Sequence, residues 1–334
     1  MNFERVAIIG TDAISASIAL GLKAQKQPPQ IIGYDADVAT ANLARSRGIF
    51  DLVERRPGQA CRGAELVVVA VPIPAIRDTF AAIAPYLQPG CFVTDTAYLK
   101  APVMRWAEEL LPASVFFVGG HLIPNPAIAG SSFLRDKDLE AASADLLRKA
   151  LYCLTAPAGA SGQVIDVFSD LATTLHARPF FIDITEHDGL QAGVEGLPAV
   201  LAIALLRATV DTPGWQEMRK FASHRFAAAT MAADEIEERS AAVFLNRQNV
   251  LLRLDALLDE LVHLRDLLTQ EDGEPFQEML AATAEGRSRW IEEQEQGMWV
   301  RDLAVDTSNV PSAGEQLRRM FFGAKLARQR NREE

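Results

Sequence analysis

The chain of 334 residues is long enough for two domains with cores of their own, and its 49% hydrophobic and 23% charged residues are those of a folded protein, not a disordered one. A formal net charge of -11 offers nucleic acid or an anionic membrane no long-range attraction, so neither is expected as a partner; a small anionic substrate must meet a local basic pocket. Cys61, Cys91 and Cys153 lie far apart without C-x-x-C spacing, which points to a reduced, cytoplasmic compartment and gives metal binding no support.

A first strand is predicted over 6–9, with Glu4 and Arg5 in front of it, so no signal peptide is expected. It ends at Gly10, and apolar residues at helical spacing follow over 14–22. A second strand over 31–34 closes on Asp35. Strand, turn, helix and strand with an acid at that distance form a Rossmann unit, in which the acid holds the adenosine ribose hydroxyls. No Arg follows to take a 2′-phosphate, so NAD is favoured over NADP.

The turn departs from G-x-G-x-x-G, because its three glycine positions read Gly10, Asp12 and Ser15. Ser15 is small enough to be tolerated. Asp12 places a carboxylate where a pyrophosphate should sit, and two charges about 5 Å apart at an effective dielectric of about 20 repel by roughly 3 kcal/mol. Asp12 is equally suited to cap the helix, satisfying N–H groups that a phosphate would otherwise use.

Helix and strand signals then alternate, as in a doubly wound parallel sheet. A helix is expected over 37–47 with Asp37 as cap, a buried strand over 65–72, a helix over 76–87, a strand over 91–95 and a helix over 103–111. The strand over 115–118 should deliver Gly119, Gly120 and His121 to its carboxyl end, where Asp95, Tyr98 and His121 would line one crevice. A Pro-rich loop over 122–130 leads to a helix over 139–150, a strand over 151–155, a helix over 162–175 and a strand over 178–183. From Thr185, which forms a capping box with Asp188, the pattern is helical to about residue 299. The longest apolar run, 197–206, contains Pro198 and is too short to span a membrane. Val250, Leu254, Leu257, Leu261, Leu264 and Leu268 make a helical stripe that Leu251 and Leu258 widen, either a buried bundle helix or one between subunits. The expected division is a Rossmann-like domain over 1–183, an all-helical substrate and dimerisation domain over 184–300, and a polar tail over 301–334 ending in a basic run.

VAIIG at the start, GYD with Asp35, VVVAVP at 67–72, TDTAYLK at 94–100, VGGH at 118–121, TEHD at 185–188 and NRQNVLLRLDALLDELVHLRDLL from Asn246 stand in that order. With them the chain resembles the prephenate and arogenate dehydrogenase family of tyrosine biosynthesis, an NAD-binding Rossmann domain followed by an all-helical dimerisation domain. The resemblance implies an oxidative decarboxylation: a hydride passes from the hydroxyl-bearing ring carbon to nicotinamide, the ring carboxylate leaves as carbon dioxide, and aromatisation drives the step. It implies His121 as the base for the hydroxyl proton, and an imidazole suits that task near neutral pH. It makes Arg225, with Arg219 as rival, the partner of substrate carboxylates, adds Lys100 to the substrate site, and lines the cofactor with Gly10, Asp12, Ile14, Ser15, Asp35, Val71, Pro72 and Asp95. A histidine that merely caps a strand end and an arginine on a solvated helix are the plainer alternatives.

Departures cluster where substrate and cofactor bind. Tyr98 stands where the family usually has a serine that hydrogen-bonds histidine and substrate. The family's H-L-P-H reads Gly196, Leu197, Pro198 and Ala199, and its short H-P-M-A-G loop is lengthened to HLIPNPAIAG. Two readings follow: an NAD-dependent homodimeric dehydrogenase with His121 and Tyr98 as catalytic residues, or a non-catalytic dimeric binding protein on the same scaffold.

Overall fold

The computed structural model describes residues 3–129, 139–234 and 236–295. Strands β1 (Arg5–Ile9), β2 (Gln30–Tyr34), β3 (Leu52–Val53), β4 (Leu66–Val69), β5 (Phe92–Asp95), β6 (Phe116–Ile123), β7 (Leu151–Thr155) and β8 (Arg178–Phe181) form one sheet in the order β3-β2-β1-β4-β5-β6-β7-β8. Helices α1 (Ala13–Lys23), α2 (Val38–Ser46), α3 (Pro57–Ala60), α4 (Ile73–Ile83), α5 (Ala101–Leu110), a single turn α6 (Pro126–Ala129) and α7 (Gly162–Thr174) connect them. Alternate residues of the central strands point into two cores. Val6, Ile8, Leu66 and Val68 pack with α1 and α7, while Ala7, Ile9, Val67 and Val69 pack with α4 and α5. Burial on both faces is why β1 and β4 read as unbroken apolar runs.

Three expectations need correction. β6 pairs in parallel with β5 only through Val118; from Gly119 to Ile123 it pairs with β7, antiparallel, so the sheet is mixed and His121 lies inside a strand opposite Cys153. The helix expected over 139–150 is a 3₁₀ turn, Leu139–Ala141, followed by further turns. Lys149 there adopts φ 58 and its N–H donates to the His176 carbonyl at 2.8 Å, which turns the chain into β7. The strand expected to reach residue 183 stops at Phe181, and Asp183 caps the next helix instead.

The second half comprises α8 (Ile184–Gln191), one π turn (Ala192–Gly196), α9 (Leu197–Thr209), α10 (Trp215–Met218), α11 (His224–Thr230), α12 (Ile236–Leu245), α13 (Arg247–Leu268) and α14 (Glu274–Glu295). The Asp183 side chain accepts from the Thr185 and Glu186 N–H groups, so the cap is not the Thr185–Asp188 box, and Asp188 is free for another task. Counted through the π turn, the stretch 184–209 is 26 residues long and apolar enough to cross a membrane by length and composition, which corrects the shorter estimate. Its first turns nevertheless bury His187, Asp188 and Gln191 against protein. Within the chain α13 buries Val250 and Leu267, whereas Leu251, Leu252, Leu258, Leu261, Val262 and Leu268 stay exposed. The tail expected over 301–334 lies outside the described residues.

Candidate active site

The carboxyl ends of β1, β2 and β4 carry the first group of expected residues. Gly10 turns with φ +93, and a Cβ there would stand 2.2 Å from the Ala70 carbonyl oxygen, so no other residue fits between the ends of β1 and β4. Asp12 caps α1: its Oδ1 accepts the Ser15 N–H at 2.7 Å, while the Ser15 Oγ accepts the Asp12 N–H at 2.9 Å. The carboxylate thus occupies one of the N–H groups that an anion at this helix terminus would use. Beside it the Thr11 Oγ1 is buried with no hydrogen-bond partner among the described residues, a hydroxyl that sequence reasoning does not single out. Asp35, half-buried past β2, accepts the Asp37 N–H at 2.8 Å. Ile14 and Val71 are half-buried and Pro72 is exposed as it opens α4.

Asp95 and Lys100 are removed from the crevice. Both are wholly buried, with Lys100 Nζ 2.5 Å from Asp95 Oδ2 and 2.6 Å from the Gly120 carbonyl. Asp95 also accepts from the Gly120 N–H at 3.1 Å and the Ala97 N–H at 3.0 Å. Burial pushes the Asp95 carboxyl above its usual range and the Lys100 amine below its own, each against the pull of the other's charge. Asp95 therefore does not line the cofactor, and Lys100 does not meet substrate. Together they tie the loop 96–100 to β6 and fix its backbone beside His121.

His121 stands at the end of a chain of side chains from both halves. Asp188 accepts the N–H groups of Lys100 and Ala101, each at 2.8 Å, and so caps α5, which has no side-chain cap of its own. His187 Nδ1 is 2.9 Å from Asp188 Oδ1, and His187 Nε2 is 3.1 Å from His121 Nδ1. A carboxylate only accepts, so His187 Nδ1 donates to it and its Nε2 is left as an acceptor; His121 Nδ1 then donates, and His121 Nε2 keeps a lone pair. The network assigns both tautomers from Asp188 outward. His187 is buried and His121 half-buried, so the unprotonated Nε2 belongs to the more exposed of the two rings. Tyr98 is half-buried on the same loop as Lys100.

His187 and Asp188 join the candidate site only through the fold, and sequence reasoning does not single them out as site residues. The adjacent His187 and Asp188 at the start of the second half are the available signal, which the reading of Thr185 and Asp188 as a capping box hides. The lost imidazoles of the second half have a packing explanation: a Cβ on Gly196 would stand 2.8 Å from Val250 Cγ2, and Ala199 is buried. Arg219, at the end of α10, and Arg225, in the first turn of α11, are exposed, and neither forms an ion pair with a described acid.

The family model for the prephenate dehydrogenase nucleotide-binding domain matches residues 18–180, beginning just past the irregular turn, and that for the prephenate dehydrogenase dimerization domain matches 183–282. Prephenate dehydrogenase of Lactococcus lactis is 31% identical over 211 residues, which is 62% of this chain and 54% of that protein. The chain thus spans about half the length of that relative. Cyclohexadienyl dehydrogenase of Zymomonas mobilis is 26% identical over 275 residues, 81% of this chain and 91% of its own. The structure of Aquifex aeolicus prephenate dehydrogenase with hydroxyphenyl propionate and NAD+ superimposes with a TM-score of 0.74 at 21% identity, covering 86% of this chain and 99% of that one.

Proposed function

The chain belongs to the prephenate dehydrogenase family, and from that premise we propose that it oxidatively decarboxylates prephenate or a related cyclic hydroxy acid with NAD. The observation that carries this reading is the chain Asp188–His187–His121, which orients the His121 ring and puts its proton on Nδ1, leaving Nε2 the unprotonated nitrogen. His121 Nε2 takes the substrate hydroxyl proton; the charge then on its ring is stabilised through His187 by the Asp188 carboxylate. Tyr98 stands as the neighbouring hydroxyl donor, and Arg225, with Arg219 as rival, as the partner of a substrate carboxylate. The division at 183/184 separates the nucleotide-binding half from the helical half, and three buried free cysteines accord with a cytoplasmic setting.

The residues present fit NAD. Gly10 makes the close turn from β1 into α1, Thr11 Oγ1 lacks a partner there among the described residues, and Asp35 offers a carboxylate at the end of β2 with Ala36 and Asp37, not a basic residue, after it. When bound, NAD supplies the hydride acceptor. Incubation with prephenate and NAD+ is expected to give NADH and carbon dioxide in equal amounts, with NADP+ a poor substitute; failure on prephenate, arogenate and cyclic analogues alike would leave the non-catalytic reading.

Asp12 should weaken this cofactor. Asp12→Gly removes a carboxylate worth roughly 3 kcal/mol of repulsion before screening, so NAD binding is expected to tighten by about one to three decades. Loss of the cap to glycine costs only a few tenths of a kcal/mol, so the variant stays folded. Calorimetric titration with NAD+ decides it: unchanged or weaker binding would mean that the carboxylate does not oppose the pyrophosphate.

A homodimer joined through the helical half is part of the same reading. Leu252, 70% exposed, and Leu268, 66% exposed, sit with Leu251, Leu258, Leu261 and Val262 on α13, more apolar surface than a monomer usually leaves to water. Sedimentation at low micromolar concentration should give twice the 36.4 kDa chain mass. A single monomeric species would remove the dimer from the proposal.

A further inference from the structure

Cys153 takes no part in the reaction just proposed, yet it is buried directly opposite His121 in the β6–β7 register. Its Sγ and one nitrogen each of His121 and His187 all lie within 4.8 Å of one another. Residues 121, 153 and 187 have no close-set spacing, so no metal-ligand motif is legible along the chain; strand pairing and the packing of α8 on the sheet assemble the group. His121 Nδ1 and His187 Nε2 are 3.1 Å apart. Two imidazoles on one tetrahedral zinc at about 2.0–2.1 Å each stand roughly 3.3–3.4 Å apart, so an ion between them asks for a shift of a few tenths of an ångström. The sulfur, no more than 4.8 Å from either nitrogen, need approach by no more than about 1 Å to reach the usual zinc–thiolate distance. His187 already holds its other nitrogen against Asp188 Oδ1 at 2.9 Å, the outer carboxylate that metal-bound histidines commonly have. Half-buried His121 opens the group to the crevice, which gives an ion a way in and leaves its fourth position for water.

We propose that His121, His187 and Cys153 form a binding site for a soft divalent cation of the zinc type, and that its occupation switches His121 off as a base. The cation takes the lone pair of His121 Nδ1, so the ring proton moves to Nε2, which then donates and no longer accepts. The cysteine thiol loses its proton to solvent, and one proton is released for each ion bound. His187 Nε2 contributes a lone pair that it already presents, without any change of tautomer. The inhibition rests on the reading of His121 as the base; the binding does not.

Cobalt(II) added to the NAD-free full-length protein is expected to give a thiolate-to-cobalt charge-transfer band and tetrahedral d–d bands, and Cys153→Ser to abolish the first. Zn2+ is expected to inhibit NAD-linked turnover of the parent, and in Cys153→Ser to do so more weakly by at least the roughly 10- to 100-fold that even an outer-shell loss costs. In chelator-treated buffer the variant should turn over like the parent, because the thiol serves only the cation. Absence of the charge-transfer band in the parent up to millimolar cobalt overturns the site, and so does equal Zn2+ inhibition of parent and variant. A cobalt band without any Zn2+ inhibition overturns the switching of His121. Cys153→Ala provides the same comparison if the serine variant does not fold. If the parent has no turnover on prephenate, arogenate or their cyclic analogues, the proposed function fails, while the cobalt spectrum still decides the cation site.

Discussion

His121→Asn is expected to lower kcat by roughly two to four decades while NAD affinity and folding stay those of the parent, which is the usual worth of a positioned general base. Asparagine can still donate an N–H to His187 Nε2, now 3.1 Å from His121 Nδ1, so the buried part of the relay keeps its partner. What disappears is the nitrogen that accepts a proton at the crevice. KM should change far less than kcat, because the bond to the substrate proton strengthens only as the proton moves. Steady-state kinetics on a substrate that the parent uses well, with NAD binding measured separately, make the comparison. A variant that turns over like the parent would remove His121 from the chemistry and leave it as a strand residue opposite Cys153.

Lys100→Met is expected to cost about 3–5 kcal/mol of stability, the usual result of removing one member of a buried ion pair and leaving the other charged. The pair is wholly buried, and Asp95 accepts from Lys100, Gly120 and Ala97. Methionine fills the aliphatic volume and supplies no charge. Without the ammonium, burial, the largest influence on Asp95, is opposed only by the Gly120 and Ala97 N–H bonds and holds its folded-state carboxyl above the unfolded value. A carboxyl raised in this way favours the folded state most below the unfolded value, and that contribution is lost as pH rises through the folded one. The deficit of the variant relative to the parent should therefore be largest at neutral pH and shrink on acidification. Urea unfolding at several pH values measures both; a loss below about 1 kcal/mol, the scale of a surface pair, would mean that water reaches the site.

What could be read from the sequence was what neighbouring residues decide. Asp12 and Asp37 cap α1 and α2 because their carboxylates reach N–H groups two or three positions ahead, and the first strand–turn–helix unit follows from its own apolar spacing. The misses are long-range. β6 runs to Ile123 because β7, some thirty positions on, pairs with it antiparallel, and nothing around residue 118 announces that partner. Lys100 looks like a substrate cation until Asp95 and the Gly120 carbonyl close around it. His187 becomes a partner of His121 only when α8 packs on the sheet, 66 positions away in the chain. Asp188 was legible as a helix-capping residue, but it caps α5 rather than its own helix, across 88 positions.

That placement of Asp188 has a mechanical consequence. Its carboxylate grips the first turn of α5, its carbonyl accepts the Asn246 side-chain amide at 2.8 Å, and its own backbone belongs to α8. Three elements, one from the sheet half and two from the helical half, are pinned at a single residue lying directly behind the relay. Any widening of the crevice that keeps these bonds is a rotation with Asp188 as its fulcrum, since a sliding motion would shear all of them at once. Displacement about a fulcrum grows with distance from it, so the rim of the cleft can swing while the imidazole nearest the pivot hardly changes its aim.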